Sequence, residues 1–163
     1  MVDTVSGEYD LGPSNEPPRI QLVNLALQGR SIMLRHPWLA PLLLTRPSMG
    51  PNSLLYLERA LSALQAVDLS GPAKLQTVAM LTAITSSFAQ NELASATASA
   101  VGSDGSLPAR MQYISDVAGS GNYPLLAAAL TGQHEPERPE ETFTRVISNC
   151  LAGVGLPVAI DSE

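Results

Sequence analysis

The residue types that carry out catalysis are few in this sequence, and they are not spaced for it. The two histidines, His36 and His134, have no neighbouring serine or cysteine with an orienting acid, which triad chemistry requires. The single cysteine, Cys150, falls on the apolar stripe of a predicted helix, which favours a buried structural thiol over a nucleophile. We therefore predict no catalytic residues and no enzyme activity.

Metal and nucleotide motifs are also missing from the sequence. It contains no His-x-x-x-His, Glu-x-x-His or Cys-x-x-Cys spacing, and no glycine-rich phosphate loop. Four acids stand close together, Glu135, Glu137, Glu140 and Glu141, and they are typical of a solvated loop and a helix N-terminus rather than of a cation site. We predict no metal and no cofactor.

Composition points to buried surface beyond an ordinary core. The 163 residues carry a net charge of -6, and only 15% are charged, against about 25% in an average domain. This shortage suggests a subunit interface, and the acidic balance argues against binding to nucleic acid by this chain. A lone cysteine excludes an intrachain disulfide, so a reducing, cytoplasmic location is the simplest expectation.

The elements that must position any site are helices. Apolar spacing, with proline and glycine at the breaks, predicts an all-α bundle of about seven helices, with no alternating strand pattern. The predicted helices cover about 19–35, 37–44, 52–67, 72–100, 108–117 and 124–130. A last helix has Glu140 and Glu141 in its first turn and an apolar stripe over 143–154. We divide the chain into an irregular lead-in over 1–18 with one helical turn, a helical domain over 19–156 and a tail over 157–163.

The most apolar stretch, Leu75–Val101, is long enough to cross a bilayer and has Glu92 as its only charge. Serine, threonine, glutamine and asparagine residues dilute it, so we favour a helix buried by protein on more than one side. We predict no association with membranes.

Methionines and aromatic residues offer a binding surface instead. Met33, Met49 and Met80, with Trp38 and Phe88, stand among leucine, alanine and serine. Methionine adapts to irregular pockets, and small-molecule sites between helices are mostly apolar. These residues are equally consistent with an ordinary core, and both interpretations stay open from composition alone.

Two segments resemble a known family. Met33-Leu-Arg-His-Pro-Trp-Leu39 and Leu44-Thr-Arg-Pro-Ser-Met-Gly-Pro-Asn52 precede a leucine-rich helix, a Leu69-Ser turn and a long uncharged helix. Together with the closing Phe143-x-x-Val-Ile-x-x-Cys-Leu-x-Gly-Val154, they resemble the C-terminal regulatory domain of tetracycline-repressor (TetR) family transcription regulators.

The resemblance implies an effector pocket among the helices and a homodimer formed by a four-helix bundle of the long helix and the last helix from each subunit. That bundle accounts for the low charge of the long helix. The residues expected at the dimer interface are Thr77, Leu81, Phe143, Val146, Ile147, Cys150, Leu151 and Val154, and an aspartate at position 143 is expected to split the dimer.

Two departures from the family affect the functional prediction. Family regulators carry an N-terminal helix-turn-helix domain, whereas Met1–Leu11 resembles only the end of the connecting helix, so we expect no operator binding by this chain. A cut at the domain boundary, a truncated gene product and a natural stand-alone domain would each account for this. Leu42 replaces the histidine that chelates a magnesium–tetracycline complex, and Leu25 and Gly29 replace an asparagine and an aromatic residue of that pocket.

The predicted effector is therefore a largely hydrophobic small molecule, bound without metal. The expected lining residues are Leu25, Gly29, Ile32, Leu42, Met49, Leu54, Met80, Ile84 and Phe88, with polar contacts from Gln28 and Thr77. Our main hypothesis is the effector-binding and dimerisation domain of a TetR-type repressor, in which effector binding relieves DNA binding. The alternatives are a dimerisation module without a ligand, which forms mixed dimers with a full-length regulator, and, third, an enzyme.

Overall fold

The computed structural model describes residues 1–13, 15–45, 49–100, 106–131 and 137–156, and all regular structure in these ranges is α-helical. In chain order the helices are α1 (Val2–Ser6), α2 (Pro18–Arg35), α3 (Leu39–Thr45), α4 (Pro51–Ala63), α5 (Gly71–Ala100), α6 (Ser106–Ala118), α7 (Pro124–Thr131) and α8 (Pro139–Gly153). The all-α prediction is confirmed. The one helical turn predicted in the lead-in is the short helix α1.

The chain forms two compact units. The first contains residues 1–93 and 139–163, and the second contains residues 94–138. In the second unit α6 and α7 are joined through Gly121, which has a φ of 83° and therefore adopts the left-handed conformation that glycine tolerates best.

The core of the first unit forms around α2, because that helix buries several faces. Leu22, Leu25 and Ala26 join Phe143, Ile147 and Leu151 of α8 in one cluster, together with residues of α4 and α5. A second cluster holds Val5, Ile32, Met33, Leu39, Ala40 and Ala89, and links α1 and α3 to the same helix.

A buried ion pair connects α2 to α5. Arg30 donates from Nε and Nη2 to the two carboxylate oxygens of Glu92, both at 2.7 Å, and the side chains are only 11% and 21% exposed. The Arg30 guanidinium also lies 5.9 Å from the ring centre of Phe143. The only charge in the long apolar stretch therefore has a fixed partner in the core.

The N-terminal segment packs against the helices instead of trailing away from them. The Asp3 carboxylate accepts a hydrogen bond from the backbone N–H of Ser53 at 2.9 Å, which caps the N-terminus of α4. Glu8 accepts from Arg35 Nη2 and pairs with His36 Nε2, each at 2.7 Å. Hydrogen bonds from Arg35 and His36 hold the pKa of Glu8 below its ordinary value.

Several helix ends differ slightly from the predicted boundaries. α4 ends at Ala63 rather than at position 67, because backbone hydrogen bonds tighten the chain there, including Leu64 N to Leu61 O at 3.0 Å. α8 closes at Gly155, which has a φ of 90°, and Leu156 N donates to Leu151 O at 3.0 Å. This is the pattern of a glycine C-cap.

Some predicted features fall outside the described residues: the loop break at 102–105, His134 and Glu135 within 132–136, and the tail from 157 onward. Within the described part of the chain, no helix combines the length and the apolarity that a membrane crossing needs.

Candidate ligand-binding site

The first unit contains an apolar cavity of about 410 Å³ beside α1. Its described lining residues come from α1 and the segment after it, α3, the start of α4 and the first half of α5. They are Ser6, Tyr9, Leu39, Leu43, Met49, Ser53, Tyr56, Leu57, Leu75, Val78, Ala79 and Thr82. The volume lies within the range of small-molecule sites.

Helical spacing explains why these residues share one wall. Leu75, Val78, Ala79 and Thr82 follow i, i+3, i+4 and i+7 along α5, so they lie on a single face. At the rim, Met49 is 79% exposed and Leu75 is 47% exposed, so the cavity opens to solvent beside them. A ligand could therefore enter at this edge without unfolding the core.

Three hydroxyl groups at the cavity already donate to protein oxygens. Ser6 Oγ donates to Val2 O at 3.2 Å, and Ser53 Oγ donates to Ser6 Oγ at 3.1 Å. Thr82 Oγ1 donates to Val78 O, one turn earlier on α5, at 3.0 Å. These polar groups tie α1 to α4 and leave the rest of the wall apolar.

Two tyrosines form the polar corner of the cavity. The rings of Tyr9 and Tyr56 pack with centroids 4.7 Å apart and an interplanar angle of 44°. Burial raises the pKa of both phenols, and for Tyr56 a hydrogen-bonding contact with Thr82 opposes part of that rise. Both side chains are therefore neutral at physiological pH.

Gly29 of α2 makes room for Tyr9. A Cβ atom at this position would lie 2.7 Å from the Tyr9 hydroxyl oxygen and 3.5 Å from Thr85 Cγ2. Because real Cβ contacts are longer than 2.7 Å, any other residue here would push Tyr9 out of place. Gly29 thus influences the cavity without lining it.

Of the eleven residues predicted to line the pocket or contact the ligand, the structure places one, Met49, on the wall of this cavity. Leu25 and Gln28 instead line a smaller pocket of about 260 Å³, whose other residues are mostly polar. Ile32 is buried in the second core cluster, and Ile84 and Phe88 pack against the first.

The remaining predicted ligand residues also lie elsewhere. Leu42 is half-buried on α3, and Leu54 is exposed on α4. Met80 lines a groove between α5 and the end of α8, together with Thr77 and Val154. The structure therefore moves the candidate site from the faces predicted on α2 to the space between α1, α3, α4 and α5.

The predicted interface residues divide into two groups. Phe143, Ile147 and Leu151 have no exposed surface, and Thr77 and Leu81 are also buried within the protomer. Phe143, Ile147 and Leu151 offer no surface to a partner in this conformation, so an aspartate at position 143 would disrupt the protomer core. Val146 and Cys150 of α8 and Val154 just after it are half-buried and follow a spacing of four.

The sequence contains a helical pattern for several cavity-lining residues that are not among the predicted ligand residues. Ser53, Tyr56 and Leu57 share a helical spacing, as do the four residues of α5, but many helix faces in this chain are apolar. Tyr9 lay in a segment expected to be irregular, and its return to Gly29 depends on tertiary contacts. Pattern alone therefore does not indicate which faces meet.

No three histidine, cysteine, aspartate or glutamate side chains in the described ranges cluster as metal ligands would.

Comparison with known proteins shows which family the chain belongs to. No curated protein matches the chain. Residues 14–156, which include most of the cavity wall and all of α8, match the family described as tetracyclin repressor-like, C-terminal domain. The chain therefore belongs to the tetracyclin repressor-like C-terminal domain family of transcription regulators.

Proposed function

We propose that this chain is the effector-binding and dimerisation domain of a TetR-type repressor, and that the cavity between α1, α3, α4 and α5 is the effector site. The observation that supports this most strongly is the cavity itself, with a volume of about 410 Å³ and a largely apolar wall. A hydrophobic small molecule would bury its surface there, and burial of apolar area is the main source of affinity in such sites.

The position of α1 supports a regulatory role for the cavity. Ser6 lines it, and the same helix is bonded to the start of α4 through Asp3 and Ser53. A ligand that fits one arrangement of these groups better than another would shift the position of α1. In a repressor, such a shift would alter the spacing of the two DNA-reading domains and release the operator.

Dimerisation would use the outer surfaces of α5 and α8. Val146, Cys150 and Val154 form a half-buried apolar stripe on α8, while Ala83 and Ser87 are exposed one turn apart on α5. Small residues allow close approach of helices, and half-exposed apolar residues gain from being covered. These residues are proposed as the centre of a four-helix bundle between two copies.

A cavity-filling variant tests the effector site. Ala79→Phe places a ring at the cavity wall, whereas Ala94→Phe adds the same ring at an exposed position of α5 that does not line the cavity. Thermal-shift screening of uncharged apolar compounds should give a raised Tm for the unmodified chain, because a ligand that binds only the folded state stabilises it.

The control decides where a positive compound binds. We expect Ala79→Phe to lower its affinity by at least about tenfold, which corresponds to about 1.4 kcal/mol, while Ala94→Phe leaves the affinity unchanged. Equal binding by both variants would refute the cavity as the effector site. If no uncharged compound binds, the chain acts as a dimerisation module without a ligand.

A further inference from the structure

We propose that the cavity selects an uncharged, largely apolar molecule that carries a hydrogen-bond acceptor, such as a ketone, and that the Tyr56 hydroxyl donates to that acceptor. This inference rests on the cavity being the effector site. It adds a chemical class and a specificity-determining residue to that assignment.

The hydrogen bonds of the wall indicate which proton is available. A hydroxyl group has one proton to donate and two lone pairs to accept with. The protons of Ser6, Ser53 and Thr82 are directed at Val2 O, Ser6 Oγ and Val78 O. Serine and threonine therefore face the cavity only as acceptors.

Tyr56 is the cavity hydroxyl that can still donate to a ligand. Its hydroxyl lies beside Thr82, whose own proton is directed at Val78 O. A ligand oxygen that enters the cavity can accept the phenol proton. Tyr9 differs, because its hydroxyl oxygen lies against α2 at Gly29 while its ring packs on Tyr56.

A bound acceptor satisfies this wall better than a bound donor does. A buried O–H group without a good partner costs free energy, whereas a hydroxyl oxygen that already takes part in one hydrogen bond tolerates an empty lone pair. A carbonyl next to Tyr56 removes the larger cost, since it accepts the phenol proton. A ligand group that donates a proton would bond only to the lone pairs of the wall hydroxyls.

The residues that line the cavity also determine the charge of the ligand that can bind. The described lining residues include no lysine, arginine, histidine, aspartate or glutamate. Burial keeps both phenols neutral, so they offer no countercharge to an ion. A carboxylate that entered would lose its hydration and find no ionic partner among these described residues, which is costly.

Three compounds of matched shape test the class. Benzophenone carries a carbonyl between two rings, 1,1-diphenylethylene replaces the oxygen with a CH₂ group, and 4-benzoylbenzoate adds a carboxylate to benzophenone. Equilibrium dialysis against the unmodified chain measures each Kd. We expect benzophenone to bind about fivefold to tenfold more tightly than diphenylethylene, and at least about 30-fold more tightly than benzoylbenzoate.

Two phenylalanine variants assign the donor. Tyr56→Phe removes one hydroxyl from the wall, and Tyr113→Phe removes one from an exposed tyrosine of α6. We expect Tyr56→Phe to abolish the preference for benzophenone over diphenylethylene while leaving the affinity for diphenylethylene within about twofold. Tyr113→Phe should keep the preference. A merely structural role for Tyr56 would weaken both neutral compounds together.

The possible failures are distinguishable. If neither neutral compound binds, the effector site itself is refuted and this inference with it. If diphenylethylene binds as tightly as benzophenone, or benzoylbenzoate binds as tightly, the cavity is a ligand site of a different class. If the ranking holds but Tyr56→Phe preserves it, another group donates, and the assignment of Tyr56 is overturned.

Discussion

At the scale of single residues, Gly29 shows how one missing side chain can shape a distant cavity. Alanine is favoured over glycine by about 1 kcal/mol inside a helix, so a Gly29→Ala change would be stabilising in open space. Here the added Cβ would lie 2.7 Å from the Tyr9 hydroxyl oxygen. We expect the variant to lower the free energy of unfolding by about 1 kcal/mol, measured by urea denaturation.

Removing the clashing atom supplies the control for this prediction. Tyr9→Phe deletes the hydroxyl oxygen that meets the new Cβ, so it should be more favourable in the Gly29→Ala background than in the unmodified chain. The double-mutant cycle should give a coupling of about 1 kcal/mol. Additive effects would show that Tyr9 and position 29 do not compete for space.

Arg30 is a second residue whose effect depends on its partner. Its bidentate bond with Glu92 is largely shielded from solvent. Arg30→Met should lower the free energy of unfolding by about 2 kcal/mol, because Glu92 is left charged and partly buried. Adding Glu92→Met should restore most of this loss, since two apolar side chains of similar length can fill the same space.

The nearby Glu140 provides a matched comparison for the ion pair. Its carboxylate lies 3.7 Å from Arg30 Nη1 and is 69% exposed, so water screens the pair. Glu140→Gln should change the free energy of unfolding by less than about 0.5 kcal/mol in the same chemical denaturation experiment. An equal loss for Glu140→Gln and Arg30→Met would contradict the assignment of the stabilisation to Glu92.

At the scale of helices, one carboxylate contributes to the attachment of α1. The backbone hydrogen bond from Ser53 lowers the pKa of Asp3, and burial opposes this to a smaller extent. A lowered pKa means that the carboxylate stabilises the folded state above its unfolded value of about 4. That stabilisation is lost as pH falls through the lower, folded-state pKa, when the protonated group no longer accepts the bond.

Trp38 reports this loss directly. It is the only tryptophan, and it packs with Val2 and Val5 of α1 in the second core cluster. Its emission should shift to longer wavelength as pH falls below about 4 and α1 detaches. Asp3→Ala should show the shifted emission already at neutral pH. A His36→Gln background removes the neighbouring imidazole, whose ring centre lies 6.0 Å from that of Trp38.

The helices were largely predictable from local pattern, whereas the residues that line the candidate cavity were not. α8 follows from Phe143, Ile147 and Leu151 at a spacing of four, with Glu140 in its first turn. Local sequence pattern does not determine the angle at which α5 meets α4. The cavity depends on that angle and on the return of Tyr9 to α2, and ten of the eleven predicted ligand residues lie elsewhere.

At the scale of the whole molecule, the same limit separates core from interface on α8. Phe143 packs edge-on against Phe88, with ring centres 5.3 Å apart, and is fully buried in one protomer. Phe143→Asp should therefore abolish the helical circular dichroism signal, because a charge in the core has no partner. Loss of folding there carries no information about a dimer.

Val146 separates the two roles. It is half-buried on the outer flank of α8, so an isolated protomer can expose an aspartate there to water. In a dimer, the same carboxylate would be trapped in an apolar seam without a countercharge. Val146→Asp should keep its helical signal and sediment as a monomer, with dimer affinity at least about 100-fold weaker. Leu54→Asp, at an exposed position of α4, should sediment like the unmodified chain. A Val146→Asp protein that still sediments as a dimer at low micromolar concentration would place the interface on another surface.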